Sequence, residues 1–123
     1  MSSGKRAEDQ PNVYCSNPDK VKEIIKKLEN LDVMVDIFKA MGDRTRFKLI
    51  YALWFGELCV CDLALAVKMP IAAVSYHMRY LRSLRLVKDD KRGKNVFYSL
   101  DDDHIAELVS IALAHTQEER GGR

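Results

Sequence analysis

Between Val60 and Leu100 the sequence leaves few folds open. A short helical pattern over about Val60–Val67 meets a longer one that Pro70 opens and that runs to about Leu84. Only Lys68 and Met69 lie between them, and so brief a connection makes two helices cross as a helix-turn-helix. Leu63, Ala66, Val67, Val74, Met78 and Leu81 are the apolar positions expected to pack the pair together. The other face of the second helix carries Ala72, Ala73, Ser75, Tyr76 and Arg79, small or hydrogen-bonding groups of the kind that approach base edges. A plain helical hairpin shares this pattern up to Leu84, so the next residues decide between the two. Leu86–Asp90 and Asn95–Leu100 read as strands joined at Arg92-Gly93, which places a β-hairpin, or wing, directly after the second helix. Lys91, Arg92 and Lys94 at its tip suit phosphates, contacts that position a protein on DNA without reading sequence.

Charge follows the same segment. The formal net charge is only +2. From Lys68 to Val96, however, eight basic side chains (Lys68, Arg79, Arg82, Arg85, Lys88, Lys91, Arg92 and Lys94) face only Asp89 and Asp90. A basic block inside an otherwise slightly acidic chain is the footprint of a polyanion partner, although a solvated basic face has the same composition. No apolar run approaches the roughly 20 residues that span a bilayer, and the first residues, MSSGKRAEDQPN, lack the apolar core of a secretory signal. The expectation is a cytoplasmic chain with no membrane partner. Its three cysteines, an odd number, are then reduced thiols available to metals or to thiol chemistry.

The rest of the chain reads as scaffold. Residues 1–17 show no periodicity and are expected to form a mobile arm carrying Cys15. Asn17 and Pro18 start a helix with Val21, Ile24, Ile25, Leu28 and Leu31 at helical spacing. Asp32 suits the cap of a second helix that stops at Gly42, and Asp43 the cap of a third that ends at Gly56. A final helix after DDD carries Ile105, Leu108, Val109, Ala112 and Leu113 as a wide apolar stripe. On so small a domain such a stripe needs either the first helix of its own chain or a second copy, and a homodimer is the expectation. The fold class is thus mainly α with a small β-hairpin (α+β): a winged helix-turn-helix over residues 18–123, dimeric through its terminal helices.

Two sets of side chains are candidate metal ligands. Asp102, His104, His115 and Glu118 lie on the final helix, where the two histidines are roughly 16 Å apart along the axis. Zn–N bonds are about 2.0–2.1 Å, so one helix cannot offer both histidines to one ion, whereas two antiparallel copies can. Zn(II) or Co(II) suits that oxygen and imidazole set; the alternative is a capping aspartate and solvated histidines. Cys59 and Cys61 point about 200° apart on a regular helix and converge only where the helix begins. Two thiolates do not close a site, and Cys15 is the one further thiol. Sulfur ligands select soft ions, Cd(II), Pb(II), Zn(II) or arsenite. Equally open from the residues are Cys59 as a small buried hydrophobe and the two thiols as an oxidisable pair, strained as a disulfide. No nucleophile–base pair or cleft pattern is evident, so no enzyme is expected.

ELCVCDLA leading into the motif, AMGDRTRFKLIYAL before it, and VSYHMRYLRSLRLV with KRGKNVFYSL after it together resemble the ArsR/SmtB family of metal-sensing transcriptional repressors. YCSNPDKV and DDHIAELVSIALAH are most similar to its cadmium- and lead-responsive CadC branch. The resemblance implies a repressor that binds operator DNA when metal-free, is released by Cd(II), Pb(II) or Zn(II), and controls efflux or resistance genes. It implies Cys15, Cys59 and Cys61 as a thiolate sensing site, with the arm thiol supplied by the opposite protomer. A second site for Zn(II) is implied at Asp102, His104, His115 and Glu118. It also implies Ser75, Tyr76 and His77 on the recognition helix, with Arg79, Arg92 and Lys94 near phosphates. The branch usually has a further arm cysteine where this chain has Pro11, so three sulfurs with an oxygen ligand are expected in place of four.

Overall fold

The computed structural model describes residues 17–118. Two compact units, Met1–Val33 and Met34–Arg123, divide the chain, and the proposed arm with Cys15 lies outside the described residues. The first unit is built on α1 (Pro18–Lys27), where the Asn17 side chain accepts a hydrogen bond from the Lys20 amide at 3.1 Å. The spacing predicts a helix reaching Leu31, but α1 stops earlier. Asn30 takes a left-handed backbone (φ 60°), which asparagine tolerates better than most residues and which a helix cannot contain. Val21, Ile24, Ile25 and Leu28 form its apolar stripe and are exposed.

The second unit holds a helical scaffold and a small sheet. α2 (Asp32–Gly42) leads to α3 (Arg44–Trp54), α4 (Val60–Val67), α5 (Ile71–Ser83) and α6 (Asp103–Gln117). Asp43 caps α3 by accepting from the Arg46 amide at 3.0 Å, a bond that, with the Arg46 charge, holds its carboxyl below the usual aspartate range. A group depressed in the folded state stabilises above its unfolded pKa of about 3.9 and loses that contribution as pH falls through the folded value. Asp43→Asn keeps a capping oxygen and removes the charge. The variant should melt below wild type at pH 7, with the gap closing below about pH 4. A gap that stays constant in thermal melts across this range would contradict the charge argument.

The core lies where α3, α4, α5 and the sheet meet. Leu49, Ile50, Leu63, Val74, Met78, Leu81 and Leu86 are fully buried, and α6 adds Ile105 and Val109. One packing expectation is corrected: Ala64 is buried and Ala66 is exposed. The inward face of α4 runs Val60, Leu63, Ala64, Val67, a spacing of i, i+3, i+4 and i+7 that leaves Ala66 on the outside. Trp54 of α3 donates its indole N–H to the Ala106 carbonyl (3.2 Å) and the Ser110 hydroxyl (3.3 Å), tying α6 to the core.

Both turns around α5 use a left-handed residue. At the end of α4, Lys68 (φ 59°) lets the Met69 amide reach back to the Ala64 carbonyl at 3.0 Å. At the end of α5, Arg85 (φ 61°) lets the Leu86 amide reach the Leu81 carbonyl at 3.0 Å, aiming the chain into the wing. The wing strands are β2 (Val87–Arg92) and β3 (Asn95–Leu100), with Arg92 opposite Asn95 and a tight turn that Gly93 permits at φ 62°. The expected two-stranded hairpin is in fact part of a three-stranded antiparallel sheet. β1 (Leu58–Cys59) adds to β3, with Leu58 opposite Tyr98 and Cys59 opposite Phe97, giving the order β1-β3-β2.

Candidate DNA interface and metal centre

Helix α5 turns Val74, Met78 and Leu81 inward, which leaves Tyr76 (65% exposed), Arg79 and Tyr80 outward. Ser75 and His77 are half-buried. His77 lies 5.6 Å from the Tyr76 ring in an edge contact, and its Nδ1 is buried without a hydrogen-bond partner among the described residues. Lys94 at the wing tip is exposed.

Arg92 is arranged differently from the expectation of a free phosphate contact. Its guanidinium donates two hydrogen bonds to the Glu57 carboxylate (3.0 and 2.7 Å) and one to Asp90 (2.8 Å). It also lies over the Phe97 ring, 4.4 Å from the centroid. The bonds to Glu57, then the one to Asp90, raise its pKa further above the ordinary guanidinium value. Arg92 therefore serves as a tie between the wing and the residues before β1. Sequence reading missed Glu57 because nothing local marks a partner 35 residues away.

Cys59 closes β1 and is also the N-cap of α4, while Cys61 is in the first turn of that helix. Both therefore sit at the helix start as expected, with Cys59 in the extended backbone usual for an N-cap (φ −77°, ψ 159°). Cys59 is half-buried and donates its thiol to the Asp62 carboxylate at 3.3 Å, and Cys61 is exposed. Asp62 is a second residue that sequence reading passed over, although its spacing of three from Cys59 at a helix start is a usable signal. The Cys59 thiol and the Asp62 carboxylate make a donor pair of one soft and one hard ligand, short of a full set for a metal ion. Among the described residues no group of three or more His, Cys, Asp or Glu side chains converges on a metal-sized site.

The four α6 candidates separate into two halves. Asp102 is the N-cap, accepting from the His104 amide (3.0 Å) and the Ile105 amide (3.3 Å), with its second oxygen 3.3 Å from His104 Nδ1. Desolvation works against the Asp102 carboxylate, yet the Ile105 amide and His104 outweigh it and lower its pKa. His115 lies at the far end, beside the C-cap residue Glu118. Capping is thus a real role of Asp102, and no single chain unites the two halves. His115 also borders an open apolar groove of about 490 Å³ lined by Phe38, Met41, Phe47, Leu108 and Ile111.

The profile described as bacterial regulatory protein, arsR family, matches residues 43–89, from the cap of α3 into the wing. A transcriptional repressor SmtB homolog of Synechocystis is 43% identical over 110 residues, covering 89% of this chain and 83% of that one. The chain belongs to the ArsR family. A cadmium resistance transcriptional regulatory protein CadC homolog of Staphylococcus aureus is 41% identical, covering 90% and 94%. The fold is that of the homodimeric winged helix-turn-helix DNA-binding domain of a possible ArsR-family regulator from Mycobacterium bovis (TM-score 0.70, 21% identity, 89% and 96% covered). As an ArsR-family chain of the SmtB and CadC kind, it is a metal-responsive transcriptional regulator and not an enzyme. No single described helix is long and apolar enough to cross a membrane.

Proposed function

We propose that this ArsR-family regulator is a cytoplasmic homodimer that represses metal efflux or resistance genes and is released from its operator by soft heavy-metal ions. The observation that carries the reading is the position of Cys59. It is at once the last residue of the strand that pairs with the wing and the cap of the helix that supports the recognition helix. An ion held by Cys59, Cys61 and Cys15, with Asp62 as the nearby oxygen donor, acts on both DNA-reading elements together. Cd(II) and Pb(II) fit three sulfurs best, followed by Zn(II); arsenite fits the same donors. A second copy running antiparallel along α6 unites Asp102 and His104 with His115 and Glu118, a set suited to Zn(II). Ser75, Tyr76 and His77 serve the recognition helix, and Arg79, Arg92 and Lys94 lie near phosphates.

Release is a linkage effect: the ion binds the low-affinity conformation more tightly by the same factor by which it weakens DNA binding. A duplex recovered by selection from random sequence, titrated by anisotropy, should lose affinity about 5- to 150-fold with Cd(II) or Pb(II), the usual range for such coupling. Release by arsenite alone would move the effector to the metalloid, and indifference to all four ions would refute the reading.

A further inference from the structure

We infer that Glu57 is a coupling residue: through its two-pronged bond to Arg92 it transmits ion binding at the thiols to the wing. The inference rests on the thiolate sensing site proposed above and adds the route by which that site reaches DNA. Glu57 stands two residues before Cys59, and its carboxylate grips Arg92 at 3.0 and 2.7 Å, at the end of β2. Arg92 in turn covers Phe97, the residue that pairs with Cys59 in the sheet. The thiol site and the wing tip are therefore joined twice, once by backbone pairing of β1 with β3 and once by a side-chain bridge. A backbone pair of two residues fixes position along the sheet but leaves the tip of a hairpin free to swing. The bridge removes that freedom by holding the tip to the residue just ahead of the sensor.

Exposed ion pairs usually contribute little, but a bidentate arginine–carboxylate pair within a network is the exception. Asp90 supplies a built-in comparison. It also binds Arg92, at 2.8 Å, but it belongs to β2 and moves with the wing, so it transmits nothing from the sensor. Glu57 and Asp90 are both exposed, so neutralising either leaves the core intact. Each change removes one negative charge from the same surface, so both should raise metal-free operator affinity alike.

The test measures operator affinity with and without Cd(II) for wild type, Glu57→Gln, Asp90→Asn, Arg92→Gln and the double variant Glu57→Gln/Arg92→Gln. Ultraviolet absorption of the thiolate–Cd(II) bonds monitors loading of each protein. Glu57→Gln should take up Cd(II) with the wild-type absorption titration, while the fold-release by Cd(II) falls about three- to fivefold, as expected for loss of one strong surface pair. Asp90→Asn should keep the wild-type release, and the double variant should lose no more than either single change at the pair. The inference is overturned if Glu57→Gln releases DNA as wild type does, if Asp90→Asn loses as much, or if Glu57→Gln no longer gives the thiolate absorption. Wild-type protein that loads Cd(II) and stays on DNA overturns the sensing site itself, a result distinct from these.

Discussion

Cys61→Ser and Cys59→Ser should each bind the operator as tightly as wild type and no longer leave it when Cd(II) is added. Serine keeps the size and hydrogen bonding of the side chain but replaces a soft ligand with a hard, poorly acidic hydroxyl. Cys61 is exposed, so its replacement by serine leaves the core and α4 in place. Cys59 is half-buried as the cap of α4, and serine is itself a favourable cap, so the metal-free fold is preserved there as well. The expected loss is the whole coupling, from about 5- to 150-fold release down to none. Anisotropy titrations with and without Cd(II) read it directly. Normal Cd(II) release by both variants would mean that the ion acts elsewhere, with α6 the remaining candidate.

Ile111→Glu should give a folded monomer that has lost operator affinity at least about a thousandfold, the gap between specific and non-specific binding. Ile111 is 67% exposed and borders the apolar groove between α2, α3 and α6, so it does not support the fold of one chain. In a dimer that pairs through α6, a charge placed there is buried against the partner, and burying it unpaired disfavours association strongly. Two recognition helices on one two-fold dimer read two half-sites, and a single chain holds only one of them. Sedimentation should show the monomer, and circular dichroism should show its helices unchanged. An Ile111→Glu dimer with wild-type affinity would place the interface on another face.

The reading elements were legible because each is local. Lys68-Met69 before Pro70, and Arg92-Gly93 between two β-rich runs, announce their turns within a few residues. Spacing also located the caps at Asn17 and Asp43, and one of the leading aspartates at the last helix, which the structure shows to be Asp102. β1 was not legible: two residues carry no period, and its pairing with Tyr98 and Phe97 depends on the finished fold. The Glu57–Arg92 bridge was hidden for the same reason. The ligand types were visible from the start, since cysteine pairs and acid–histidine sets stand out in any sequence. Their assembly was not, because α6 holds its two candidate halves a helix length apart, and no three candidate ligands converge among the described residues.

The shortness of β1 limits how this sensor can be varied. A strand of two residues has no slack, and its second residue is already the first contact of α4. Lengthening the chain by one residue there would turn Cys59 to the opposite side of the sheet and displace Glu57 from Arg92 in the same step. At the proposed thiolate site, ligand chemistry is therefore free to change by substitution at positions 59, 61 and 62, while the place of the site along the backbone is not. An engineer retuning the proposed site should exchange side chains and leave the register alone.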